Sequence, residues 1–197
     1  GMRVKKSLGQ HFLRSEKALR TIVEAGNVGK WNTVIEIGPG TGVLTEKLLE
    51  TDARVIAIEK DNELFELLKQ KFKKEIANGK LELIHGDILE FDLAKLVVKT
   101  YKLVANIPYN ITGAILKKFF ETDCQPESMV LLMQKEVAER IAAESSNMSL
   151  ISCITHYYYK CVLAEQGPAR LFTPPPKVES IILVLMRRDE PLFDVDT

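Results

Sequence analysis

The stretch Val34-Ile35-Glu36-Ile37-Gly38-Pro39-Gly40-Thr41-Gly42-Val43-Leu44 decides how this chain is read. Its first part is a short β-branched run ended by glycine and proline, the signature of a strand. Its last residues open a helical pattern over Val43–Glu50. Between them lies a turn rich in glycine, which lets the backbone come close to a ligand where a Cβ would collide. The G-x-G-x-G spacing differs from the dinucleotide fingerprint G-x-G-x-x-G, so the turn alone points only to a nucleotide-type ligand.

Outward from this unit the chain keeps alternating. Strands are expected at Thr33–Gly38, Arg54–Glu59, Leu81–His85, Lys102–Asn106, Met129–Gln134, Tyr157–Glu165 and Ser180–Arg187. Helices are expected at Glu16–Ala25, Val43–Glu50, Asn62–Ile76, Thr112–Glu121 and Lys135–Ala143, with another near Leu150–His156. In the third of these, Leu64, Leu67, Leu68 and Phe72 recur at helical spacing. Strands alternating with helices imply an α/β fold, a mostly parallel seven-stranded sheet with helices on both faces. In such sheets ligands sit beyond the carboxyl ends of the strands.

Bulk properties narrow the class. A chain of 197 residues builds one well-packed domain rather than two large ones. No apolar run reaches the roughly 20 residues of a membrane span. The basic N-terminus is not followed by an apolar signal core, so a cytoplasmic location is expected. Cys124, Cys153 and Cys161 share no metal-type spacing, so free thiols and no metal are expected. The 27 basic and 27 acidic residues cancel, yet Arg3, Lys5, Lys6, Arg14, Lys17 and Arg20 crowd the first twenty positions. Lys69, Lys71, Lys73 and Lys74 form a second basic run, and Arg187-Arg188 a third.

Two further strand ends carry acids. Glu59, 21 residues after Gly38, can accept hydrogen bonds from both ribose hydroxyls of an adenosine moiety. Asp87, in Gly86-Asp87-Ile88, can accept one from an adenine amine, and Ile88 can cover the ring face. Features at three successive strand ends together resemble the cofactor site of the Rossmann-like, class I S-adenosylmethionine methyltransferases.

The fourth strand ends in Asn106-Ile107-Pro108-Tyr109. An adenine amine is a poor nucleophile because its lone pair is delocalised into the ring. Acceptors that hold the amine protons make that lone pair available. The Asn106 side-chain oxygen can supply one acceptor, and a backbone carbonyl at Ile107 or Pro108 another. Tyr109 can stack on the purine face. No strong general base is needed, and catalysis rests on placing amine and methyl in line.

Gly9-Gln10-His11-Phe12-Leu13, Glu36–Gly42, Asn106–Asn110, Gln134-Lys-Glu-Val-Ala138 and Phe172–Ser180 occur in that order. The set resembles the KsgA-type small-subunit rRNA adenine dimethyltransferases and, more distantly, the Erm methylases of large-subunit rRNA. It covers almost the whole chain. The resemblance implies a basic arm over residues 1–15 that closes on the cofactor, with Gln10, His11 and Leu13 near it, and a methyltransferase domain over 16–190. It implies S-adenosylmethionine contacts at Gly38, Gly40, Gly42, Glu59, Lys60, Asp87, Ile88 and Asn106. It places Phe172 opposite Tyr109 across an unstacked target adenine. The implied partner is ribosomal RNA in a small-subunit particle, met by a monomer.

Three departures from the family stand out. KsgA-type proteins usually continue into a small helical C-terminal domain, whereas this sequence stops at Thr197, shortly after the last expected strand. The stretch Ala143–Leu150 is shorter than the family's usual Tyr-Gly-containing loop, and His11 stands where the family usually has Asn. Other readings are an Erm-like large-subunit methylase or a non-catalytic ribosome-assembly factor. DNA adenine methylases typically read Asn or Asp followed by Pro-Pro-Tyr at the fourth strand, and a small-molecule methyltransferase should carry a lid.

Overall fold

The computed structural model describes residues 12–13, 16–96, 98–107, 109–144, 149–164, 172–173 and 180–192. In chain order its elements are β1 (Phe12–Leu13), α1 (Glu16–Ala25), β2 (Thr33–Ile37), α2 (Val43–Glu50), β3 (Arg54–Glu59), α3 (Asn62–Lys71), α4 (Lys73–Ala77), β4 (Leu81–His85), β5 (Lys102–Asn106), α5 (Thr112–Glu121), β6 (Ser128–Gln134), α6 (Lys135–Ala142), α7 (Leu150–Tyr158), β7 (Tyr159–Ala164), β8 (Phe172–Thr173) and β9 (Ser180–Arg187).

Seven of these strands form one sheet in the order β4-β3-β2-β5-β6-β9-β7. β9 runs antiparallel to both its neighbours, and the other pairings are parallel. Period-two alternation sorts the side chains between two apolar layers. On one face Ile35, Ile37, Ile56, Ile58, Leu103 and Leu131 meet Ile115, Leu116 and Phe119 of α5 and Ala138 of α6. On the other Val34, Val55, Ala57, Val104 and Val130 meet Leu19 and Ile22 of α1, Leu48 of α2 and Leu68 of α3. Both faces of the sheet are therefore covered, as parallel sheets require.

The chain reverses its direction of travel across the sheet between β2 and β5. Their carboxyl ends lie side by side, with Ile37 opposite Ala105. This is the topological switch point, where loops diverge and leave a crevice.

Two boundaries differ clearly from those read in the sequence. The helix expected over Asn62–Ile76 breaks at Phe72, whose φ of −107° and ψ of 27° leave the helical region. Tyr157 and Tyr158 end α7 instead of opening the last-but-one strand. Asp61 caps α3 through Leu64 N–H, and Ser149 caps α7 through Ser152 N–H. The pair β1–β8 was not foreseen: Phe12 sits opposite Thr173 and Leu13 opposite Phe172.

Candidate active site

The glycine turn is built around conformations that L side chains rarely adopt. Gly38 has φ +68° and Gly42 φ +87°. A Cβ on Gly38 would lie 3.3 Å from the Asn106 carbonyl oxygen, so the turn crosses close over the end of β5. A Cβ on Gly42 would lie 2.7 Å from Phe72 Cε2 and 2.9 Å from Leu68 Cδ2. The break in the third helix thus has a use: Phe72, 4% exposed, packs under the turn. Lys71 beside it donates to the Thr41 carbonyl at 3.0 Å and holds the turn from outside.

Glu59, at the end of β3, is 4% exposed. Its Oε1 accepts from Gly40 N–H at 3.1 Å and its Oε2 from Asp61 N–H at 2.8 Å. Glu59 therefore ties the glycine turn to the neighbouring strand end, and each oxygen keeps lone-pair capacity for a further donor. Burial pushes its carboxyl above the ordinary range, opposed by the Asp61 and Gly40 amides.

Asp87 follows β4. Its Oδ1 accepts from Leu89 N–H at 3.0 Å, and its Oδ2 lies 3.5 Å from the Lys60 ammonium. Lys60 is otherwise solvated, with its side chain 77% exposed. Next to them the His85 ring stacks on Phe65 at 4.8 Å and lies 3.2 Å from the Lys60 carbonyl. Ile88 is 5% exposed and belongs to the apolar layer on the α5 side.

A narrow, mostly apolar cleft opens between the sheet and the helices α1 and α2. Ile22, Glu36, Gly38, Pro39, Leu44 and Asn106 are among the residues that line it. It brings together the glycine turn and the last residue of β5, the two motifs that the sequence singled out most strongly. Glu59, Asp87 and Ile88 lie further along the same strand ends and do not line it. Ile107, after Asn106, is 2% exposed and donates its N–H to the Leu132 carbonyl, so the segment leaving β5 is anchored to β6. Tyr109 begins a 3-10 turn (Tyr109–Ile111) that leads into α5. Gln10, His11 and Pro108 lie outside the described residues, as do the side chains of Leu13, Tyr109 and Phe172. The backbone pairing of Leu13 with Phe172 joins the proposed cofactor-closing segment to the proposed target-base segment.

Glu36 received no role of its own in the sequence, though it stands in the deciding stretch. It is 2% exposed, on the face of β2 where Val34 meets the α1–α2 layer. Its Oε1 accepts a 2.5 Å hydrogen bond from Thr45 Oγ1 of α2. Burial pushes its carboxyl up to about 7; the Thr45 bond opposes this, and nearby Glu59 adds to it. The signal available in the sequence was a lone acid in an apolar strand, at a position whose face should be buried.

Of the basic runs, Lys69, Lys73 and Lys74 are exposed on α3 and α4, and Lys17 and Arg20 on α1. Arg188 instead donates through Nε to the His156 carbonyl at 2.8 Å. Among the described residues no group of three or more His, Cys, Asp or Glu could hold a metal ion. None of the described helices is long and apolar enough to cross a membrane.

Comparison with known proteins agrees with this geometry. The family model for ribosomal RNA adenine dimethylase matches residues 1–197. A ribosomal RNA small subunit methyltransferase A from Dehalococcoides mccartyi is 42% identical over 187 residues, which is 94% of this chain and 63% of that protein. The chain thus spans somewhat less than two thirds of the length of such relatives. Among solved structures, the 23S rRNA methyltransferase ErmE superposes with a TM-score of 0.81 at 30% identity, covering 93% of this chain and 72% of that one. A dimethyladenosine transferase from Plasmodium falciparum superposes with a TM-score of 0.77 at 32% identity, covering 91% and 64%. Sheet order, switch-point cleft and a match along its whole length agree: the chain belongs to the ribosomal RNA adenine dimethylase family.

Proposed function

We propose that this protein uses S-adenosylmethionine to methylate, and to dimethylate, the N6 amine of adenine in small-subunit ribosomal RNA. The observation that carries the reading is the meeting of the Gly38–Gly42 turn with Asn106 in one cleft at the switch point.

The residues present fit the cofactor. A Cβ on Gly38 would crowd the Asn106 carbonyl, so the bare turn lies directly against the end of β5, and both backbones are open to one ligand. Glu59 and Asp87 are acceptors, suited to ribose hydroxyls and to an adenine amine. Glu36 supplies a buried acid in the cleft, suited to a cationic ligand. When bound, S-adenosylmethionine supplies an electrophilic methyl on a sulfonium sulfur.

Chemistry at the amine falls to Asn106. It ends β5 and is half-buried, paired with Leu132 of β6, with Val104 and Ala105 before it fully packed. Its side-chain oxygen accepts a hydrogen bond from the amine and holds the nitrogen toward the cleft. The anchored Ile107 fixes the direction of the backbone that follows. Tyr109 and Phe172 are assigned to the two faces of the target base, and the exposed lysines of α3 and α4 to phosphates of the RNA. A base must be unstacked to reach such a site, which suits single-stranded or splayed rRNA.

The reading is tested by offering labelled S-adenosylmethionine and undermethylated ribosomal particles. Label in the small subunit, lost with Asn106→Ala, is the expected result. Label in the large subunit instead would favour an Erm-like target. No label in either, with the cofactor bound, would refute the reading for this chain.

A further inference from the structure

Glu36 is a fully buried acid without a cation. Its one hydrogen-bond partner among the described residues is the neutral hydroxyl of Thr45. Among the described residues, the elements packed around it offer no positive charge. β3 contributes a second acid, Glu59. β5, β6 and α1 contribute Val104, Ala105, Val130, Leu132 and Ile22 to the same cleft. On α2, Lys47 is turned to Glu16 at 2.9 Å and to Glu50 at 3.5 Å, and Glu46 faces Lys71 at 3.7 Å. An ionised carboxylate in such a place is strongly disfavoured unless a cation arrives. The cleft it lines also holds Asn106, beside which the target amine must receive the methyl.

We infer that Glu36 senses the charge of the cofactor: it carries a proton in the free protein and gives it up when S-adenosylmethionine binds, so that the cleft prefers the cationic cofactor to its neutral product. This rests on the proposed function. S-adenosylmethionine and S-adenosylhomocysteine share one ammonium and one carboxylate and differ in the sulfonium charge. On binding, the O–H bond of Glu36 breaks and buffer base takes the proton; no bond to the cofactor forms. After methyl transfer the sulfur is neutral, the carboxylate loses its counter-charge, reprotonates from solvent, and the product leaves more readily. Burial, opposed by the Thr45 bond and helped by Glu59, already pushes the carboxyl up to about 7, so the exchange falls in the neutral range.

Calorimetric titration at pH 7 in phosphate and in Tris, whose ionisation heats differ, counts the protons released. A midpoint of about 7 leaves about half of the free molecules protonated, so about half a proton should be released per S-adenosylmethionine bound. S-adenosylhomocysteine should release clearly less. Glu36→Gln should abolish the release and narrow the affinity ratio of cofactor to product. Thr45→Val removes the hydroxyl that favours the ionised form, so its release should rise toward one proton; it serves even where Glu36→Gln fails to fold. Binding without buffer-dependent heat, equal release with both ligands, or unchanged release in Glu36→Gln would overturn the inference and leave the cofactor site standing. Failure of wild-type protein to bind either ligand would overturn both.

Discussion

Replacing Gly42 by Ala asks whether the glycine turn is held by packing as well as by conformation. Two penalties are predicted. Alanine at φ +87° costs about 1–2 kcal/mol for the left-handed conformation. Its Cβ would also lie 2.7 Å from Phe72 Cε2 and 2.9 Å from Leu68 Cδ2, and both partners are buried. Overpacking of that kind adds about 1–3 kcal/mol. The sum is about 2–5 kcal/mol, a large share of the stability of a domain this size. Gly79 is the internal control: its φ is +83° but nothing lies within 4 Å of its Cβ, so Gly79→Ala should cost only the first part. Gly29 has neither strain nor neighbours, and Gly29→Ala should be close to neutral. Urea unfolding monitored by circular dichroism ranks the three, with midpoints compared at constant slope. Adding Phe72→Leu to Gly42→Ala should recover part of the overpacking cost. Equal losses for Gly42→Ala and Gly79→Ala would refute the claim that α3 packs under the turn.

The other predictions concern charge and chemistry. Lys102, 8% exposed, donates to the Gly26 and Asn27 carbonyls at 2.7 and 2.8 Å and fastens the end of α1 to β5; Lys102→Met should cost about 2–3 kcal/mol in the same assay. Glu36 binds its proton more tightly in the folded than in the unfolded chain, about 7 against an ordinary 4.5, so its contribution to stability is full below about pH 4.5 and is lost as pH rises through about 7. Cofactor-free Glu36→Gln should therefore gain on wild type between pH 5 and 8, by up to about 3 kcal/mol, in thermal melts across that range. Asn106→Ala should lower the methyl-transfer rate by about 10²-fold or more with the cofactor still bound, read in single-turnover kinetics.

The sheet was legible because β2, β3, β5 and β6 are dense in β-branched and apolar residues and end at glycine, an acid or an amide. The cleft followed from the order of the elements, since a strand order that reverses between β2 and β5 leaves its crevice there. What escaped had local causes. Tyr157 and Tyr158 carry strand propensity, yet they finish α7, where Tyr158 meets the Phe120 ring at 6.2 Å and Ser149 has already fixed the helix start. Phe72 kept helical spacing and so hid the break that lets it reach Gly42. Two-residue strands such as β1 and β8 have no periodicity to read, although their pairing joins two candidate site segments. Glu36 stands within the glycine motif, but its importance depends on burial and on having no cationic partner among the described residues, which the sequence does not show. The second role of Glu59, binding Gly40 N–H, also needs coordinates to be seen.

The central claim is that the Gly38–Asn106 cleft serves N6 methylation of adenine. It is tested most directly by incubating the protein and S-adenosylmethionine with undermethylated small ribosomal subunits, then digesting the RNA for nucleoside mass spectrometry. The account predicts N6,N6-dimethyladenosine with wild type and none with Asn106→Ala. Methylation on another base or ring position, or dimethyladenosine undiminished in Asn106→Ala, would contradict it.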